Sequence, residues 1–330
     1  MAEIVKQFPD LMAGKKVMYV HGFGSSAQSG TVRRLRQVLS EATVIAEDLL
    51  VHPAEAMALL RRLCQEEQPD LIIGTSMGGM YTEMLYGYDR IVINPALRIA
   101  DTMEAHGMTG AQKFQNPRRD GVQDFMVTKA MVREYKELTT HCFEGVNDEE
   151  RQRVVGLFGD RDNLVDTFDL FHSHYPTAIH FHGEHRMDDH SYMHSVMPVI
   201  RWIDDRQQGR QRPTVLITTD TMADQRSLPA SSMQKAVRML IEHYNVWFVT
   251  PQPLYSDSPN ERWTAWLEEY VNVPAYDHQI ACNHTELLMG DFLISREENS
   301  AFLGTSITFG SPTFKSWEDI ITYFSRILGI

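Results

Sequence analysis

Short apolar runs rich in β-branched residues alternate with amphipathic stretches along the chain. In its first part, Lys16–Val20, Thr43–Ala46, Leu71–Ile73, Arg90–Ile93, Val154–Phe158 and Thr177–Phe181 have strand length and composition. Between and after them, Thr31–Ser40, Ala54–Gln65, Gly78–Tyr86 and Tyr192–Arg206 carry apolar residues at helical spacing. Apolar strands separated by helices predict an α/β fold, a mostly parallel sheet with helices on both faces. The rhythm breaks over 100–153, a stretch rich in Met, Gln, Asn, Arg and Gly with one helical pattern at Thr128–Leu138. Its composition fits either a small lid folded over the sheet edge or a plain surface excursion.

A polar, charged segment, Asp204–Pro213, reads as a linker. Beyond it the alternation resumes. Strands are expected at Thr214–Thr218, Val246–Thr250, Gln279–Cys282, Phe292–Ile294 and Ser306–Phe309, with helices at Ser231–Tyr244, Glu261–Val271 and Trp317–Leu328. The pattern therefore predicts two α/β domains in tandem, 1–207 and 208–330, and the length of 330 residues suits two.

Charge and cysteine content narrow the function classes. Asp and Glu number 44 against 31 Lys and Arg, a formal charge of −13, with no long basic tract. Such a surface is a poor partner for nucleic acid or an anionic membrane. Cys64, Cys142 and Cys282 show no C-x-x-C spacing, so neither a disulfide framework nor a thiolate metal site is expected. No apolar run approaches the roughly 20 residues of a membrane span, and Met1–Asp10 lacks a secretory pattern. The expected location is cytoplasmic.

The sharpest chemical signal is Leu71-Ile72-Ile73-Gly74-Thr75-Ser76-Met77-Gly78-Gly79, a G-x-S-x-G run directly after an apolar strand and before a helix. That context describes a nucleophile elbow, a tight turn that exposes Ser76 and tolerates only small neighbours. Upstream, Val20-His21-Gly22-Phe23-Gly24-Ser25-Ser26 closes the first strand, and its glycines let backbone approach a substrate. The backbone N–H groups of Phe23 and Met77 are the candidate oxyanion donors. An acid and then a histidine should follow in chain order. Gly159-Asp160-Arg161-Asp162 supplies Asp162 as first choice of acid and Asp160 as its alternative; Gly183-Glu184-His185 supplies the base. Seven histidines fall from His172 to His194, the others being His174, His180, His182, His185 and His190, but none shows a metal-ligand spacing. No metal and no cofactor are called for.

With these motifs, residues 15–206 resemble a compact α/β-hydrolase of the YqiA-like esterase group. The resemblance implies a serine hydrolase acting on a small-molecule ester or thioester through Ser76, Asp162 and His185. The later segments Val215–Asp224, Phe248–Pro251 and Gly290–Ile294 resemble the haloacid-dehalogenase superfamily, closest to the small 5′(3′)-deoxyribonucleotidases. Those enzymes use two aspartates beside a magnesium ion. Aligned on Ala223-Asp224, the two aspartate positions hold Ile217 and Thr219, the lysine position holds Thr285, and Ser295-Arg296 replaces part of a downstream acidic pair. Thr250, suited to bond a phosphate, and Asp291, suited to a metal, remain. An apolar Ile217 supplies neither charge nor nucleophile. The expectation is a non-catalytic domain kept for binding, stability or assembly, homo-oligomers included. A non-catalytic regulatory protein and a nucleotide phosphatase are the competing readings.

Overall fold

The computed structural model describes residues 7–222, 230–250, 263, 266, 267, 270, 271 and 278–330. They divide into two compact units. The first runs to Met187 and takes in Val199–Asp204; the second comprises Asp188–Pro198 and Asp205–Ile330.

The first unit is built on β1 (Lys16–Val20), α1 (Gly30–Val38), β2 (Thr43–Ile45), α2 (Pro53–Glu67), β3 (Leu71–Thr75), α3 (Met77–Glu83) and β4 (Arg90–Ile93). The segment that follows holds α4 (Ile99–Ala105), β5 (Gly110–Lys113), β6 (Asp124–Val127), α5 (Lys129–Thr139) and α6 (Asp148–Arg153). Then come β7 (Val154–Gly159), α7 (Phe168–His172) and β8 (Ala178–Phe181). Six strands form one parallel sheet in the order β2-β1-β3-β4-β7-β8. Parallel strands need crossover connections, and the helices supply them while covering the sheet. The sequence explains the central strands: Leu71, Ile72 and Ile73 of β3 and Arg90–Ile93 of β4 are buried throughout. Helix starts are fixed by side-chain caps, with Ser29 accepting from Val32 N and Thr128 from Met131 N. Met18, Val20, Ile72, Val92 and Phe158 meet Leu60, Met80 and Tyr81 in the main core.

The 100–153 segment carries more structure than its one expected helix. β5 and β6 pair antiparallel, Gly110 opposite Val127 and Lys113 opposite Asp124. Their sequences, GAQK and DFMV, leave mostly polar or exposed side chains, so no alternation advertised them.

In the second unit, β9 (Thr214–Thr218), β10 (Asn245–Thr250), β11 (Gln279–Ala281), β12 (Phe292–Ser295) and β13 (Thr305–Thr308) form a parallel sheet in the order β11-β10-β9-β12-β13. The helical stretch that precedes it in the chain comprises α8 (Asp189–Ser191), a π-helical segment Tyr192–Val196 and α9 (Met197–Gln207), of which Val199–Asp204 belongs to the first unit. Helices α10 (Ser231–His243) and α11 (Trp317–Leu328) pack on one face, where Val237, Leu240, Ile320 and Phe324 bury Ile217 and Ile294. Segment 188–198 groups with this unit, whereas the sequence placed everything before 208 in the first domain. His194 illustrates the grouping. Burial pushes its imidazole down to about 3, and His190 and Arg238 push in the same direction. Of the helix expected at Glu261–Val271, Trp263, Trp266, Leu267 and Tyr270 are helical. Its other members apart from Val271, and Ala223, Asp224 and Pro251, lie outside the described residues.

Candidate active site

Strand order reverses at β1: β2 lies on one side of it, and β3 with all later strands of that sheet on the other. In an open parallel sheet, such a switch point leaves a crevice beyond the carboxyl ends of the two strands. Those ends are Val20-His21-Gly22 and Thr75-Ser76.

Ser76 occupies a strained turn with φ 56° and ψ −121°. The fold holds it there: its N–H donates to Ile93 O at 2.9 Å, and its carbonyl accepts from Met80 N at 3.1 Å and Ala96 N at 3.0 Å. The flanking glycines are steric necessities. A Cβ on Gly74 would lie 2.2 Å from Thr82 Oγ1, and one on Gly78 only 2.1 Å from Val20 O.

His185, in the loop after β8, brings Nε2 to 3.0 Å from Ser76 Oγ, while its Nδ1 lies 2.7 Å from Asp162 Oδ2. A carboxylate only accepts, so Nδ1 carries the proton and Nε2 is left to accept from the serine hydroxyl. The other Asp162 oxygen accepts from Leu164 N at 2.8 Å and Val165 N at 3.0 Å. Little solvent reaches the pair, with side-chain exposures of 14% for His185 and 4% for Asp162. Asp160, the alternative acid, turns elsewhere: its carboxylate accepts from His182 Nδ1 at 2.9 Å and Gly183 N at 3.0 Å.

The candidate oxyanion loop lies against the serine. A Cβ on Gly22 would stand 3.3 Å from Ser76 Cβ and 3.9 Å from its Oγ, so the residue before Phe23 packs against the elbow. Met77 follows Ser76 as the first residue of α3 and is buried. His21 organises this loop, a role its place in the sequence did not reveal. Leu49 N–H donates to its Nε2 at 3.0 Å, so Nδ1 carries the proton and bonds Gly22 O at 2.9 Å. Burial pushes the His21 imidazole down to about 4 and keeps it neutral. Residues near β5 and β6 close on the same loop. Gln115 N donates to Gly24 O at 2.7 Å, Phe125 packs edge-on against Phe23 at 5.3 Å, and Arg186 reaches Gln115 Oε1 at 2.9 Å. A parallel sheet of this order, with an elbow after β3 and acid and histidine loops after β7 and β8, is the α/β-hydrolase fold.

Of the remaining histidines, His174 stacks on Phe143, His172 and His180 both stack on Phe168, and His190 stacks on His194.

The positions singled out in the second unit do not converge. Ile217 is buried in the core of β9, and Thr219 is buried in the turn after it. Thr250 closes β10, its buried hydroxyl without a partner among the described residues. Asp291 lies at the opposite end of the sheet, ahead of β12. It accepts from Thr214 N at 2.7 Å, at the start of β9, so it pins two strand starts instead of joining Thr219 and Thr250. The reason is register: parallel β9 and β12 run level from Val215 and Phe292 to Ile217 and Ile294. Thr285 sits in a 3₁₀ turn and accepts from Asn299 Nδ2 at 2.8 Å.

Among known proteins, a "Putative 5'(3')-deoxyribonucleotidase" of Vibrio phage KVP40 is 28% identical over 100 residues, 29% of this chain. The chain spans 59% of the length of that curated relative. Similar solved structures include Est1E from Butyrivibrio proteoclasticus, at TM-score 0.44 and 16% identity over 62% of this chain and 92% of that one. A monoglyceride lipase variant from Saccharomyces cerevisiae follows at 0.40 and 10%, over 62% and 89%. Strand order and connections, not these distant likenesses, define the fold. The amino-terminal unit is matched at family level: over residues 16–199 the chain belongs to the uncharacterised protein family UPF0227.

Proposed function

We propose that the first unit is a serine hydrolase cleaving an ester or thioester through Ser76, His185 and Asp162. One observation carries this reading: the hydrogen-bonded chain from Asp162 through both imidazole nitrogens to a serine on a strained elbow. The family match supports the YqiA-like resemblance of this unit. Ser76 Oγ attacks the substrate carbonyl carbon while His185 Nε2 takes its proton. The carbonyl electron pair moves onto oxygen, where the Phe23 and Met77 N–H groups receive the charge. Collapse breaks the C–O or C–S bond, and the imidazolium protonates the leaving alkoxide or thiolate. Water repeats both steps on the acyl-enzyme, releasing a carboxylic acid and restoring the serine. Asp162 keeps the imidazole in its working tautomer and stabilises its charged form. A panel of acyl esters and thioesters of increasing chain length tests the reading. Wild type should turn some of them over and Ser76→Ala none, since losing the nucleophile costs about 10⁶-fold in a well-adapted hydrolase.

For residues 208–330 the proposed role is binding or self-association by a haloacid-dehalogenase-like unit without phosphatase chemistry. Its strand order and the partial likeness to the phage protein support the resemblance. Mg²⁺ needs carboxylate oxygens beside the substrate phosphate, and Asp291 stands at the far end of the sheet. Full-length Ser76→Ala incubated with deoxynucleoside monophosphates and Mg²⁺ should release no phosphate. Release that disappears on Asp291→Ala would contradict this.

A further inference from the structure

Asn94 follows β4 directly, with its backbone in the left-handed region at φ 43° and its surface almost wholly buried, 1% exposed. Asn tolerates that conformation better than most residues. Its side-chain amide is engaged on both sides. Oδ1 accepts from Gly159 N at 2.7 Å, at the end of the strand leading to Asp162. Nδ2 donates to Glu184 O at 3.2 Å and His185 O at 3.1 Å, in the loop carrying the base. Its backbone N–H reaches Leu157 O at 2.8 Å, and its neighbour Ile93 accepts from Ser76 N. Asn94 thus ties the loops that carry acid and base to each other, and its neighbour Ile93 anchors the turn that carries the nucleophile. No other neutral side chain of this size offers an acceptor and a two-proton donor in one plane.

We infer that Asn94 is a positioning residue that holds the His185 loop against the Asp162 loop, so that Nε2 stays on Ser76 Oγ. This rests on the triad reading above. Asn94 itself touches neither substrate nor reacting atoms. Without its amide, two carbonyls of the His185 loop and the Gly159 N–H lose their buried partner, and the imidazole is free to drift. A misplacement on the order of 1 Å in a catalytic group can cost about 10²-fold.

The experiment compares wild type, Ser76→Ala, Asn94→Ala and Asn94→Asp. The readouts are fluorophosphonate labelling, kcat and KM on one turned-over ester from pH 5 to 9, and thermal melting. Asn94→Asp keeps the acceptor for Gly159 N–H but sets a carboxylate against two carbonyls. Both variants should melt above the assay temperature, lose between 10- and 100-fold in kcat, and keep KM within twofold. The activity of Asn94→Asp relative to wild type should rise as pH falls, because a protonated carboxyl can again donate to the His185 loop. Should Asn94→Ala fail to fold, Asn94→Asp alone decides through that pH-dependent ratio. A folded variant with wild-type kcat, or a ratio flat across pH, overturns the inference while wild-type labelling leaves the triad reading intact. No labelling of folded wild type and no ester turnover removes the triad reading itself, and the inference falls with it.

Discussion

Two aspartates stand two residues apart on one turn and serve different histidines. Asp162 is buried and bonds His185, while Asp160 is partly exposed and bonds His182 and the Gly183 amide. Asp162→Asn should therefore leave the fold intact and lower kcat by up to about 10⁴-fold, because an amide favours the wrong imidazole tautomer. Asp160→Asn should stay within about tenfold of wild type, the loss coming only from slackening between the β7 and β8 loops; steady-state kinetics on one ester separates the two. The choice between these carboxylates was legible only as a spacing preference, since both sit in the same acidic turn. His21 and Asn94 were not legible at all. Apart from Gly22 O beside His21, their partners lie far off in sequence, at Leu49 for His21 and beyond residue 158 for the Asn94 side chain, and no local pattern announces a contact across such a separation.

At the scale of elements, the strand, elbow and helix around Ser76 form a unit that sequence displays well, because every requirement is local. An apolar run, a small residue on either side and a helix behind it are all adjacent along the chain. The packing distances explain the letters. Gly78→Ala would push a methyl group against Val20 O at 2.1 Å, where backbone on both sides must move. Overpacking of this kind costs roughly 3 kcal/mol, and the melting temperature should fall accordingly; an unchanged melting temperature would show the turn to be looser than described. By contrast, β5 and β6 escaped notice because four-residue strands with exposed side chains carry no usable periodicity. What Asp291 holds was hidden for a related reason. The sequence shows that it adjoins a strand but not that its carboxylate caps the start of β9 at the far end of the sheet.

Over the whole molecule, buried neutral histidines couple stability to pH. His21 is held down at about 4 in the folded chain, against 6.5 for a free imidazole. Above pH 6.5 both folded and unfolded forms are neutral there. As pH falls from 6.5 toward 4, the unfolded chain takes up the proton first, and stability drops. From pH 7 to pH 5 this one residue accounts for about 2 kcal/mol, and His21→Asn should flatten the pH dependence of urea unfolding by that amount. An unchanged dependence would mean that His21 is not held neutral. Among the described residues no helix is long and apolar enough to cross a membrane. The parallel strands of both sheets were legible from apolar runs, whereas the grouping of 188–198 with the second unit depends on long-range packing that no linker composition reveals. The central proposal is that the His185–Asp162 pair activates Ser76. Time-resolved labelling of wild type with a fluorophosphonate, followed by peptide mapping, tests it most directly. The expected result is rapid modification of Ser76, abolished in Ser76→Ala and slowed by orders of magnitude in His185→Ala. Labelling that persists in Ser76→Ala, or a wild-type rate no faster than that of His185→Ala, would contradict it.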